Sequence, residues 1–140
     1  MYEYEYEAMH GLESFYWWFV ARRILAEELI AEEIGGRSSI RILDIGCGTG
    51  ANMEAFAQQG TTVGIDFSLD ALRLCQSRGL QTLALTGVER LPFGDRSFDI
   101  VTALDILEHT DDDLKALEEI HRIMRDAGLL LITVPAYGFL

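Results

Sequence analysis

The chain has 140 residues, enough for one domain with a substantial core, and its 49% apolar share is ordinary for a globular protein. With 11 Lys and Arg against 23 Asp and Glu it carries a formal net charge of −12, which opposes binding to nucleic acid or an anionic membrane surface, since both need a positive field. No apolar run reaches the roughly 18 residues of a membrane span, and the two cysteines, Cys47 and Cys75, come without a signal peptide, so a soluble protein of a reducing cytoplasm is expected.

Residues 1–11 alternate tyrosine with glutamate, Tyr2, Tyr4 and Tyr6 against Glu3, Glu5 and Glu7. A period of two suits an edge strand, and a mobile terminal arm fits as well. From Ser14 the pattern becomes helical: Trp18, Ala21, Leu25 and Leu29 share one face, and Gly35-Gly36 stops a helix that runs to Ile34. The stretch Phe15–Val20 is aromatic nearly all round and must be covered. Packing on a sheet is one cover. A lid that aims Arg22 or Arg23 at an anionic ligand group is another. A membrane-surface helix is disfavoured by the acidic surroundings.

Ile40, Ile42, Leu43 and Ile45 form a nearly continuous apolar strand, and Gly46, Gly48 and Gly50 follow at alternate positions. A glycine turn between strand and helix lets backbone approach a ligand closely. A helix over 52–59 ends at Gly60, and Thr61–Asp66 is a second strand ending in an acid. Ser68 caps a helix over 69–78, stopped by Gly79. Leu80–Thr86 is a third strand, residues 87–96 a loop, and Ser97–Leu104 a fourth strand. Thr110 and Asp113 have capping-box spacing for a helix over 111–125 with Leu114, Leu117, Ile120 and Met124 on one face. Gly128 ends that helix, and Leu129–Val134 is a fifth strand.

Unbroken alternation of strand and helix predicts an α/β fold, a doubly wound, mostly parallel sheet with helices on both faces. Ligands of such sheets bind beyond the carboxyl ends of the strands. The glycine turn, Asp66 and the Leu104-Asp105 pair would all face that crevice. Gly46, Gly48 and Ala51 satisfy the spacing of a dinucleotide fingerprint, with Asp66 near the place of its ribose-binding acid, so an NAD(P)-binding oxidoreductase is a candidate on spacing. Asp44 argues against it, because a carboxylate at the turn repels a pyrophosphate and suits a cation such as the ammonium and sulfonium of S-adenosylmethionine. The competing role for Asp44 is a structural acid bonding turn amides, and for Asp66 a helix-flanking acid.

Leu43-Asp-Ile-Gly-Cys-Gly-Thr-Gly50 resembles the first motif of the class I S-adenosylmethionine-dependent methyltransferases. Val63-Gly-Ile-Asp66-Phe-Ser68, Glu89-Arg-Leu-Pro-Phe-Gly-Asp-Arg-Ser-Phe-Asp-Ile-Val101, Leu104-Asp-Ile-Leu-Glu-His109 and Gly128-Leu-Leu-Leu-Ile-Thr-Val-Pro135 are similar, in order, to later blocks of the type-11 branch. Phe15–Leu25 resembles its aromatic-then-arginine lead helix. The resemblance implies cofactor contacts from Asp44, Gly46, Cys47, Gly48, Gly50, Asp66 (ribose), Phe67, Ser68, Glu89, Leu91, Leu104, Asp105 and Arg22. It implies a small-molecule acceptor, with no metal, and His109 is the candidate general base or acceptor-positioning group. No zinc-type spacing and no nucleophile elbow is found.

Two departures stand out. The family's acid before the Glu-Arg-Leu-Pro block is replaced by Gly87-Val88, leaving Glu89, backbone or stacking to hold adenine. The resemblance also implies strand order 3-2-1-4-5-7-6, whereas this sequence reaches only the fifth strand. The expected organisation is one domain over 1–140, an arm and lid-like helix over 1–36 and a Rossmann-like core over 37–140, incomplete at its C-terminus. The fifth strand then offers an exposed apolar edge for self-association. An S-adenosylmethionine-binding domain that is inactive without a partner is the alternative from another class.

Overall fold

The computed structural model describes residues 2–136. Five parallel strands form one sheet in the order β3-β2-β1-β4-β5, with β1 Arg41–Ile45, β2 Thr61–Asp66, β3 Leu83–Leu85, β4 Phe98–Leu104 and β5 Met124–Thr133. The helices are α1 Glu3–Leu12, α2 Trp17–Ile34, α3 Ala51–Phe56, α4 Leu69–Ser77 and α5 Asp113–Ile123. This is the α/β architecture expected from the alternation of elements, and its strand order is the one that the family resemblance implies for the first five strands. No described helix is long and apolar enough to cross a membrane.

The two faces of the sheet divide the core as a period of two requires. Leu43 and Ile45 of β1, Val63 and Ile65 of β2, and Val101 and Ala103 of β4 pack with Ala116, Ile120 and Ile123 of α5. On the other face Ile42 of β1 and Ile100 and Leu104 of β4 pack with Ala26, Ile30 and Ile34 of α2 and Phe56 of α3. A smaller cluster of Met53, Leu72, Cys75 and Cys47 joins α3 and α4 to the loop after β1. Strands covered on both faces read as apolar runs, and β4 is buried at every position.

Several elements differ from the sequence reading. The tyrosine–glutamate tract is neither strand nor arm but helix α1, whose Tyr2 N–H donates to the Glu5 carboxylate at 2.5 Å. Tyr6, Met9 and Glu13, at helical spacing, make its inward side, while Tyr2 and Tyr4 stack outside with centroids 5.8 Å apart. Tertiary packing of that inner face overrides the alternation. In α2 the expected stripe Trp18, Ala21, Leu25 and Leu29 lies outward, and Ala26, Ile30 and Ile34 face the sheet. Both stripes are apolar at period 3.6, so periodicity could not choose between them.

The carboxyl end of α5 also departs. The last helical carbonyls of Arg122 and Ile123 accept N–H groups from Arg96 (3.0 Å) and Ser97 (2.7 Å), where the chain enters β4. That pairing satisfies orphan carbonyls and ends the helix at Ile123. Met124 already takes β geometry, and Gly128 sits in an irregularity of β5, not at a helix stop. The cap of α5 is Asp112, whose carboxylate accepts the Lys115 N–H at 2.9 Å. Thr110 instead donates to the Leu107 carbonyl at 2.9 Å. Leu114 and Leu117 face outward with 65% and 38% exposure, so the buried face of α5 is Ala116, Ile120 and Ile123. Ser68 caps α4 as expected, accepting the Ala71 N–H at 3.3 Å.

This placement of α5 separates two substitutions that the sequence pattern would treat alike. Ile120→Ala should lower unfolding free energy by about 2–4 kcal/mol through a buried cavity, whereas Leu114→Ala should stay within about 0.5 kcal/mol. Urea unfolding of both variants measures the contrast. Equal losses would place Leu114 in the core and overturn the assigned face.

Candidate functional site

The carboxyl ends of β1, β2 and β4 open into a cavity of about 500 Å³, walled by α1 and α2. From the central strand β1 and the loop after it come Asp44, Gly46, Cys47, Gly48 and Thr49; from the end of β2 and just past it, Asp66 and Phe67; from β4 and the turn after it, Leu104, Asp105, Ile106, Glu108 and His109. Tyr6, Met9 and Glu13 of the N-terminal segment and Phe19, Arg22 and Arg23 of α2 close the mouth. The strand register makes this convergence, since Asp44 lies beside Gly64 and Thr102 in neighbouring parallel strands.

The loop after β1 needs glycine at two points for different reasons. Gly46 has φ +66, and a Cβ there would run into the Ile106 side chain. Gly50 has φ +86, and its Cβ would lie 2.5 Å from Leu80 Cδ1 and 3.0 Å from Cys75 Sγ. Gly50 therefore lets the loop pack onto α4 and does not face the cavity.

Asp44 is buried, and only one of its oxygens is served: Oδ1 accepts the Thr102 hydroxyl at 2.7 Å. Oδ2 has no partner. Burial pushes this carboxyl up to about 7, against the opposing pull of the Thr102 hydrogen bond and the Arg22 charge. Arg22 binds the Asp105 carboxylate through Nη1, lies 5.7 Å from the Phe19 ring centroid, and leaves its buried Nε unpaired. Asp105 itself has φ +56, and its Oδ1 accepts the Thr133 hydroxyl at 2.8 Å.

Asp66 ends β2 with both oxygens on backbone amides. Oδ2 accepts Gly48 N–H at 3.0 Å, and Oδ1 accepts Ser68 N–H at 2.9 Å. Desolvation raises its pKa while these amides pull the other way. Cys47 and Cys75 are buried free thiols with sulfurs 3.8 Å apart. That hydrogen bond and burial push the Cys47 thiol upward. His109 ends the short 3-10 turn Leu107–His109 at the cavity rim, its ring 72% exposed and 3.7 Å from Glu108.

Of the residues singled out from sequence, the cavity gathers Arg22, Asp44, Gly46, Cys47, Gly48, Asp66, Phe67, Leu104, Asp105 and His109. Gly50, Ser68, Glu89 and Leu91 lie outside its wall. Ser68 is the cap of α4. Leu91 is core, and its N–H donates to Glu119 at 2.8 Å. Glu89 folds toward Gly87, where a Cβ would meet its Oε2 at 3.0 Å. Sequence reasoning missed Tyr6, Met9, Glu13, Thr49 and Thr102. The i, i+3, i+7 spacing of Tyr6, Met9 and Glu13 was the available signal, masked by the alternation around it. Thr102 in an otherwise apolar strand was a second.

Residues 43–132 match the family model described as a methyltransferase domain. Demethylmenaquinone methyltransferase of Renibacterium salmoninarum is 34% identical over 79% of this chain and 48% of its own length. Among solved structures, the [4+2]-cyclase SpnF shares 28% identity at TM-score 0.71, covering 84% of this chain and 46% of that one. A Methanococcus maripaludis protein, described as a candidate S-adenosyl-L-methionine-dependent methyltransferase, aligns at TM-score 0.79 over 94% of this chain and 63% of its own. At 23% identity it shows the fold alone. The chain spans about half the length of the curated relatives it matches. With the family match extending over most of the sheet and over Asp44, Asp66 and Asp105, this chain belongs to the methyltransferase domain family.

Proposed function

We propose that the chain forms the S-adenosylmethionine-binding core of a methyltransferase that acts on a small-molecule acceptor. One observation carries the reading: Asp44 Oδ2 and Arg22 Nε, both buried and both unpartnered, belong to side chains lining the same cavity. An unserved carboxylate oxygen and an unserved guanidinium N–H are complementary to an ammonium and a carboxylate, the two charges of an amino-acid head group. The methionine end of S-adenosylmethionine has both.

The remaining residues fit the rest of that cofactor. Asp66 offers the bidentate acceptor that a ribose diol requires. Phe67, 67% exposed at the rim, offers a ring face for adenine, a role for which Glu89 is turned away. A dinucleotide fits poorly: the wall carries Glu5, Glu13, Asp44, Asp66, Asp105 and Glu108 against Arg22 and Arg23, and that excess of negative charge repels a pyrophosphate.

When bound, the cofactor supplies a methyl group activated by its sulfonium. The chain's own work is alignment and exclusion of water. Phe19, Leu104 and Ile106 give the acceptor end an apolar wall. Asp105 is held by Arg22 and Thr133, so it orients the rim and is not a free base. His109, whose charged neighbour is Glu108, is positioned to accept a proton from an acceptor hydroxyl or amine. Cofactor binding without methyl transfer is the second reading, favoured by the commitment of Asp105 and by the likeness to a cyclase.

Titration calorimetry with S-adenosylmethionine, S-adenosylhomocysteine and NAD tests the cofactor. Adenosyl-ligand binding that Asp66→Ala reduces at least about tenfold is expected, as for loss of charge-assisted hydrogen bonds. NAD binding in place of the adenosyl ligands would sink the reading.

The buried Asp44 gives a second test with a worked sign. Its carboxyl rises from 3.8 to about 7 on folding, so the native state holds the proton more tightly than the unfolded chain. The stability this contributes is complete below about pH 4 and is lost as pH climbs to about 7. Asp44→Asn should therefore melt above the wild type at pH 8, by at most about 4 kcal/mol, with the gap closing toward pH 4. The same variant should lose adenosyl-ligand affinity. Wild-type affinity should climb roughly tenfold from pH 6 to 8 as the carboxylate ionises. A pH-independent melting difference would remove Asp44 as the titrating group.

A further inference from the structure

Arg78 follows the last turn of α4 and does not line the cavity, yet it holds the glycine loop that does. Its side chain is 17% exposed, and its guanidinium meets four separate segments. Nε donates to the Thr49 carbonyl of the loop at 2.8 Å, and Nη1 donates to the Glu54 carboxylate of α3 at 2.9 Å. Nη2 lies 3.1 Å from His10 Nδ1 of α1 and donates to the Glu13 carboxylate just past that helix. Glu13 is itself buried, and its other oxygen accepts the Thr49 hydroxyl.

Thr49 is therefore fixed twice, its carbonyl by Arg78 and its hydroxyl by Glu13, and these two holders are paired with each other. Gly48 beside it is fixed by Asp66, which accepts its N–H at 3.0 Å, and by the Cys75 thiol, which donates to its carbonyl at 3.1 Å. Those bonds tie the loop to β2 and α4. The Arg78–Glu13 pair extends the hold to the wall that α1 makes. That helix has little else to keep it in place: among its described residues only Tyr6 is buried, and Met9 rests on Gly48, where a Cβ would meet its methyl at 3.2 Å. An element with so few buried groups opens locally at small cost, so a charge-assisted bond at its end carries much of its placement.

We infer that Arg78 is a positioning residue for the adenosyl cofactor: from outside the cavity it sets the Gly48–Thr49 stretch of the loop and, through Glu13, keeps α1 closed over the ligand. Its effect passes through Thr49 and Glu13, with no contact to the ligand of its own. The inference rests on the cavity being the cofactor site.

Calorimetric and stopped-flow binding of S-adenosylhomocysteine to the 140-residue chain tests it, with melting curves to show that each variant folds. Arg78→Met keeps the aliphatic stem and removes every donor, so affinity should fall roughly tenfold, as for loss of charge-assisted hydrogen bonds, chiefly through faster dissociation. Arg78→Lys keeps the charge beside Glu13 without the fork and should recover part of that loss. Glu13→Gln should also weaken binding, and joined to Arg78→Met it should add no more than about twofold, because the two side chains act as one unit. Without ligand, hydrogen exchange over residues 3–12 should rise in Arg78→Met. Ile120→Ala destabilises the chain from α5 and should leave affinity within about twofold of the wild type, as for a distant site. Wild-type affinity in Arg78→Met would overturn the inference. An equal loss in Ile120→Ala would do the same, since the effect would then be one of stability alone. Unchanged exchange over residues 3–12, or fully additive losses in the double variant, would overturn the route through Glu13 and α1. If Arg78→Met does not fold, Arg78→Lys and Glu13→Gln carry the test, and wild-type affinity in both overturns the inference. The cofactor reading is judged separately: a wild type that binds no adenosyl ligand sinks that reading and this inference with it, whereas tight wild-type binding matched by Arg78→Met sinks the inference alone.

Discussion

A carboxylate buried at the end of the central strand is the constraint around which this molecule is arranged. Asp44 has one hydrogen bond, from Thr102, and a second oxygen with none. Burying a polar atom unserved opposes folding, and it does so at the carboxyl edge of a parallel sheet, where the neighbouring strands also end in acids. The apolar packing on both faces of β1 offsets that cost. It also holds the acid where a strand on its own would let it turn to water. Arg22 reaches the same cavity from α2 and leaves Nε unserved. Each side chain thus keeps one buried polar atom without a partner among the described residues, an acceptor and a donor in one cavity, and that pair supports the proposed head-group seat.

The strands were legible because the sheet is buried on both sides. Ile42 and Leu43 face opposite layers yet both are apolar, so β1 stood out without any need to know which helix covers which face. The acids that end β1, β2 and β4 were legible for the same reason, as breaks in apolar runs. Helix faces were less so. Trp18, Ala21, Leu25 and Leu29 match a helical period as well as Ala26, Ile30 and Ile34 do, and only packing on Ile42, Phe56 and Ile100 decides between them. The end of α5 was illegible because the groups that stop it, the N–H of Arg96 and of Ser97, lie more than twenty residues upstream.

The tract 2–13 shows how a local pattern misleads when its partner is remote. Alternating tyrosine and glutamate has the period of a strand, and no neighbour in sequence contradicts it. What selects a helix is the surface it lands on: Asp66 under Tyr6, Gly48 under Met9, and Thr49 with Arg78 under Glu13. All are more than thirty residues away. The helical spacing of those three contacts matters more than the charge alternation, whose outer residues remain in solvent. Acidic side chains beside an acidic site would repel on their own, and Arg78, drawn to Glu13 and Glu54 together, offsets that repulsion.

The Asp105 side of the cavity depends on β5 in a way the Asp44 side does not. Asp105 is held in left-handed backbone by two bonds to one residue, its N–H donating to the Thr133 carbonyl at 2.9 Å and its Oδ1 accepting the Thr133 hydroxyl at 2.8 Å. Arg22 then binds the other carboxylate oxygen and so ties α2 to the same point. Among the described residues β5 pairs only with β4, and its Ile132 is 39% exposed. Any strand added along that edge, from this chain or a second copy, would stiffen Thr133 and through it the Asp105–Arg22 pair. The seat proposed for the methionine head group stands on the buried centre of the sheet, whereas the geometry of the Asp105 rim is set at its edge.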